Sequence, residues 1–166
     1  LRADCNDVLE VSRNFFGKLD SCGIMFSLIQ SDRKSSGRTG LCRANEARRN
    51  VIVGTPRRIH LGRREENVSD QNLFDERNDG CSFHIAFPPP DNYQNLESWQ
   101  KYFDLDAHSA QARVTADFNV KTLTLTWKVE GDLPLEFPIP GPLNKTEWEK
   151  ILRGKTGRQV FPLPAT

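Results

Sequence analysis

The chain has no run of about 18 apolar residues, so no helix long enough to cross a bilayer is expected. It also lacks an excess of either charge. Its 23 Lys and Arg oppose 22 Asp and Glu, and a net charge of +1 argues against a nucleic-acid or membrane-surface footprint. The four cysteines, Cys5, Cys22, Cys42 and Cys81, include no pair at the close spacing of a zinc site. There is no phosphate-binding loop, no G-x-S-x-G elbow and no H-E-x-x-H motif, which removes the common nucleotide, α/β-hydrolase and zinc-protease signatures. No signal-peptide pattern is present and the first residue is Leu1, so a processing boundary or a longer parent chain is expected before it. What is present suits a globular chain rather than a disordered one: 37% of the 166 residues are apolar and 27% charged.

Within that composition there is a loose repeat. Residues 8–16, 45–53 and 67–74 align, each placing an Asn two positions before a large apolar residue: Asn14 before Phe16, Asn50 before Ile52, Asn72 before Phe74. Each unit then carries an apolar–x–apolar pair: Ile24/Phe26, Ile59/Leu61, Phe83/Ile85. A period of about 20 to 50 residues is the mark of a solenoid. Short strands with a recurring turn Asn read as a right-handed parallel β-helix. The expected fold is all-β, with about three such coils over residues 1–87. The polar, cationic residues 31–40 read as an insertion looping from that scaffold.

Pro88, Pro89 and Pro90 end the repeat, because proline cannot donate to a sheet ladder. Residues 88–166 form a capping region packed with the coils as one domain. Its helix starts at the N-cap Asn95, with Leu96, Trp99 and Phe103 on one face. An antiparallel β-pair follows: residues 112–118, a turn at Asn119, Val120 and Lys121, then residues 122–129, where Leu123, Leu125, Trp127 and Val129 alternate. A Pro-rich stretch over 133–142, a short helix over 145–153 and an extended tail complete the chain.

Asn14, Asn50 and Asn72 have a physical reason to recur. Asn tolerates left-handed backbone, and stacked amides hydrogen-bond from coil to coil. Cys22 and Cys81 fall in one column two coils apart, about 10 Å at the usual strand spacing. That exceeds the reach of a disulfide, and both read as buried small hydrophobes.

Alternation along the short strands turns Arg58, His60 and His84 outward. It makes the two histidines neighbours, about 4.8 Å apart, flanked by Arg58. A row of this kind suits proton transfer or a sugar acid, and His60, His84 and Arg58 are the candidate catalytic residues; two solvated histidines on a plain sheet is the simpler reading. The turn cluster of Asp75, Arg77 and Asp79 could bind substrate or ligate calcium. Arg33 and Arg38 in the insertion could meet an anionic polymer. Solvated turns rich in Asp and Arg are the alternative. No cofactor is expected, calcium apart.

The coil pattern resembles the C-terminal part of bacterial right-handed parallel β-helix proteins of the pectate-lyase-like superfamily. So does the stretch Asn92-Tyr93-Gln94-Asn95-Leu96-Glu97-Ser98-Trp99-Gln100 followed by Asp106-Ala107-His108-Ser109, with its β-pair and Pro-rich tail. The resemblance implies a secreted or periplasmic protein that processes an extracellular polysaccharide, as a lyase or glycoside hydrolase. A non-catalytic carbohydrate-binding or surface-structural module, or a fragment without activity, is the alternative. Only about three coils are visible, so the N-terminal end is open, and self-association there is expected.

Overall fold

A computed structural model describes residues 1–4, 7–12, 14–27, 42–64, 66–76, 81–86, 92–130 and 156–160. The expectations for residues 31–40, for Pro88, Pro89 and Pro90, for the Pro-rich stretch and for the helix over 145–153 lie outside these residues.

The described chain is predominantly β. After β1 (Arg2–Asp4) come three strands, β2 (Glu10–Ser12), β3 (Phe15–Gly17) and β4 (Cys22–Ser27). The same sequence of short strands recurs as β5 (Glu46–Arg48), β6 (Val51–Val53) and β7 (Arg57–Leu61), and again as β8 (Val68–Asp70), β9 (Leu73–Asp75) and β10 (Phe83–Ile85). Corresponding strands pair in parallel. β2, β5 and β8 form one sheet, β3, β6 and β9 belong to a second, and β4, β7 and β10 to a third, where β1 lies beyond β4. The chain visits the three sheets in turn and returns one strand further along, which is a β-helix-like arrangement.

Alternation decides which side chains fill the centre. Ile24, Ile59 and Phe83 are in register, as are Phe26, Leu61 and Ile85, and all six are essentially buried. Val11 and Ala47 from the first sheet and Ile52 and Phe74 from the second join the same core. Burying an aliphatic or aromatic side chain of this size contributes about 1.5–3 kcal/mol.

Between the first and second sheets the backbone turns through a left-handed residue, Arg49 (φ 58) and then Gln71 (φ 59). The Asn follows it. The left-handed geometry therefore sits one residue before the position that the sequence pattern points to, and the Asn supplies the hydrogen bonds. The Asn14 backbone N–H donates to Asn50 Oδ1 (3.1 Å), and the Asn50 N–H donates to Asn72 Oδ1 (2.9 Å). The side-chain amides donate along the same line, Asn14 to Asn50 and Asn50 to Asn72, both at 3.2 Å. Asn50 and Asn72 are fully buried, and Asn14 at the end of the ladder is exposed. A second ladder, which the sequence pattern does not single out, enters the first sheet. Ala44 and Glu66 are left-handed there, and Asn45 bonds to Asn67 through its backbone N–H (3.0 Å) and its amide (3.1 Å).

The C-terminal elements close the far end of the core. β11 (Asn92–Gln94) runs antiparallel to β10 and leads into α1 (Leu96–Phe103). Asn95 caps that helix by accepting from the Ser98 N–H at 2.8 Å. The helix turns Leu96 and Trp99 inward, and Trp99 lies 5.3 Å from the ring of Phe83. Asp106 then takes the next rung of the Asn ladder. Its carboxylate accepts from the Asn72 amide (2.9 Å), the Trp99 indole (2.9 Å) and the Ser109 hydroxyl (2.5 Å). Burial pushes this carboxyl up, against the pull of those donors and of Ser69.

β12 (Ala110–Asn119) starts as a parallel neighbour of β9, continues into a hairpin with β13 (Thr124–Glu130), and β14 (Thr156–Val160) adds antiparallel to β13. Ala112, Val114, Leu125, Trp127 and Val129 pack with Val51, Val53 and Leu73 in a second core. The other side of the second sheet is thus apolar as well, and the hairpin covers it. Alternation in residues 122–129 identifies a strand there, but the strand begins at Thr124. Leu123 is left-handed (φ 47), and the turn falls at residues 120–123 rather than at Asn119, Val120 and Lys121. Alternation also does not reveal this destination.

Cys22 and Cys42 are buried, whereas Cys81 is exposed. The expectation that Cys81 is buried fails because it stands before β10 begins, outside the alternating strand. Burial pushes the Cys22 thiol up to about 11. At pH 8 iodoacetamide should modify Cys81 in the folded protein, and Cys22 and Cys42 only after unfolding, as read by peptide mass spectrometry. Replacing Asn50 with Ala removes the acceptor for Asn14 and the donor to Val11 O and Asn72. It should lower stability by about 1–3 kcal/mol in urea unfolding; an unchanged midpoint would show the ladder to be incidental.

Candidate functional site

The third sheet carries a row of side chains between its two inward columns. Met25, His60, His84 and Tyr93 occupy successive strands β4, β7, β10 and β11 as Cα partners, and Arg2 on β1 pairs with Met25. Each middle member sits between two buried apolar residues, so alternation turns it to the outer side. The two imidazoles meet Nδ1 to Nδ1 at 2.6 Å, with ring centroids 4.4 Å apart. One nitrogen must donate and the other accept, so the contact holds one proton between two rings. Tyr93 lies flat on His84, at 4.2 Å between centroids and 12° between planes. His84 is 4% exposed, His60 is half-buried and Tyr93 is 47% exposed. The row thus presents its accessible faces at His60 and Tyr93.

Arg58 does not stand in this row. It lies at the corner where the chain enters β7, with its side chain 3% exposed. Its Nε donates to Asp75 Oδ1 (3.4 Å), its Nη2 to the Asp75 carbonyl (2.6 Å), and its Nη1 to the Ser82 hydroxyl. The Asp75 Oδ2 also accepts from the Gly54 N–H at 2.9 Å. Gly23 leaves room beside Arg58: a Cβ there would come within 2.6 Å of the Ile52 side chain at Cγ2 and 2.8 Å of the Arg58 carbonyl. The expected outward Arg58 and accessible Asp75 are instead each other's buried partners, because an isolated charge cannot be desolvated cheaply. Arg77, Asp79, Arg33 and Arg38 lie outside the described residues.

Two other surfaces differ in character. On the first sheet, Arg48 pairs with Glu46 (3.0 Å) and Asp70 (3.9 Å), and His108 with Asp70 (2.9 Å). Burial raises the Asp70 carboxyl, but the His108 N–H and ring and the Gln71 N–H outweigh it and hold it below the usual aspartate value. That contact adds stability above the ordinary aspartate pKa, and the contribution is lost as pH falls through the folded value. Beside the hairpin, a groove of ≈ 430 Å³ is lined by Phe15, Val53, Ala116, Phe118 and Leu125, with Lys18 and Asp117 paired at 2.8 Å. Neither surface contains a residue singled out from the sequence as a site candidate. Met25, between Ile24 and Phe26, follows from the repeat itself; Tyr93 does not, since β11 lies beyond the repeat.

The chain matches no protein-family profile, no curated protein sequence and no solved structure.

Asp75→Asn removes the countercharge of a buried guanidinium. It should cost about 3 kcal/mol or more in chemical denaturation, while the His60–His84 contact, followed by imidazole NMR, stays in place.

Proposed function

We propose that this chain is part of a right-handed parallel β-helix of about three coils, of the pectate-lyase-like type, and that its third sheet works on an extracellular polysaccharide. On this reading it is a secreted or periplasmic protein. The observation that supports it is the ring row: two imidazoles sharing a proton beside a partly exposed Tyr. A tyrosine face can stack on a sugar ring, and an imidazole pair can take up and return a proton near neutral pH. Asp75 is tied into the Arg58 pair, so acid–base work falls to the imidazoles, which suits elimination from a uronate better than hydrolysis by two carboxylates. Arg2, two strands from His60, offers a cation for an acidic sugar. The near-complete burial of His84 favours a second reading, a non-catalytic binding module in which the row only stacks on and hydrogen-bonds to sugar.

Polyuronates and neutral glucans, assayed by new double bonds and by reducing ends, separate the two. The expected result is unsaturated product from an acidic polymer, lost in His60→Gln. That variant keeps a hydrogen-bonding group beside the buried His84 and so should stay folded by circular dichroism, with the thermal midpoint lowered by a few degrees at most. Retardation in an affinity gel without turnover would establish the binding module instead. Neither turnover nor retardation would leave a scaffold without its own activity.

A further inference from the structure

We propose that Met25, His60 and His84 form a binding site for copper(I). The three residues are Cα partners on adjacent strands β4, β7 and β10, on one side of one sheet. Two imidazole nitrogens already converge to 2.6 Å. Metal–imidazole bonds of about 2 Å set two ligating nitrogens roughly 3.3–4 Å apart, so the rings must part by about 1 Å through side-chain rotation. Met25 is the only methionine in the chain, and register puts it beside His60.

The donor set selects the ion. Among the described residues no three His, Cys, Asp or Glu side chains converge, so those residues form no four-ligand zinc cage of such side chains. Two neutral imidazoles and one thioether are few and soft, which suits copper(I) with its low coordination number. The inward columns Ile24, Ile59, Phe83 and Phe26, Leu61, Ile85 fill the opposite face of the sheet and hold the three strands in register beneath the row. Tyr93 covers the far side of His84. The donor atoms set the preference for the ion, since the row keeps an accessible face at His60. The proposal stands independently of the polysaccharide reading.

The test uses the chain with Cys5→Ser and Cys81→Ser, which removes thiols that would compete for the metal. Copper(I) is titrated against a chromophoric chelator under anaerobic, reducing conditions, with zinc(II) and calcium(II) in parallel. The expected result is uptake of a single copper(I) ion, perturbation of two of the three histidine ring signals in NMR, and no comparable zinc or calcium binding. His60→Ala should abolish uptake, and Met25→Leu should weaken it about tenfold or more. His108→Ala should leave it intact. Circular dichroism confirms that each variant is folded, and His60→Ala, altering a half-exposed residue, keeps the test valid if His84→Ala does not fold. No uptake by the parent chain would overturn the site. So would uptake undiminished in His60→Ala, or an affinity unchanged by Met25→Leu.

Discussion

A parallel ladder of backbone hydrogen bonds cannot continue through a left-handed residue, and every pass of this chain needs such residues to turn from one sheet to the next. Arg49 and Gln71 break the ladder, and the amide of the following Asn mends it by accepting the N–H of the Asn one rung before. The same device recurs at Asn45 and Asn67. Left unmet, each buried N–H would cost about 1–3 kcal/mol, so the turns and the stacking register depend on the amides. At the end of the ladder Asp106 and Ser109 take the place of a further Asn. A carboxylate can accept from Asn72 and Trp99 at once, and so ties the terminal rung to the helix that closes the core.

The other corner is held differently. Between the second and third sheets, Arg58 and Asp75 share a buried ion pair supported by Ser82 and the Gly54 N–H. Charges desolvated together with their hydrogen bonds met are tolerated where one alone would not be. The arrangement removes from the surface a cation and a carboxylate that local patterning assigns to chemistry.

What remains for function follows from how the three outer faces are used. The hairpin of β12 and β13 covers the apolar outer side of the second sheet. The first sheet carries mutually paired charges. The third sheet alone brings two imidazoles into contact, with a tyrosine stacked on one of them. Proton transfer, sugar stacking and soft-metal binding are all chemistries of that one row, and the register that builds the core also aligns it.

Local pattern in the sequence was not enough for the strands β1, β11 and β14. It was enough for the inward columns at Ile24/Phe26, Ile59/Leu61 and Phe83/Ile85, the Asn ladder, the capped helix from Leu96 and the existence of the antiparallel pair. All of these are written in local periodicity or in one short spacing, and alternation and capping are local physics. It also set His60 beside His84, because one register shift serves a whole strand. Tertiary structure decided the rest. Whether Arg58 meets solvent depends on Asp75, 17 residues away across a corner. Whether the hairpin is a tail or a cover depends on the apolar face of Val51, Val53 and Leu73, which strands too short to show alternation clearly do not reveal. Tyr93 joins His84 only because β11 reverses direction beside β10. Burial and ion pairing are properties of what surrounds a residue, and that is assembled from distant segments of the chain.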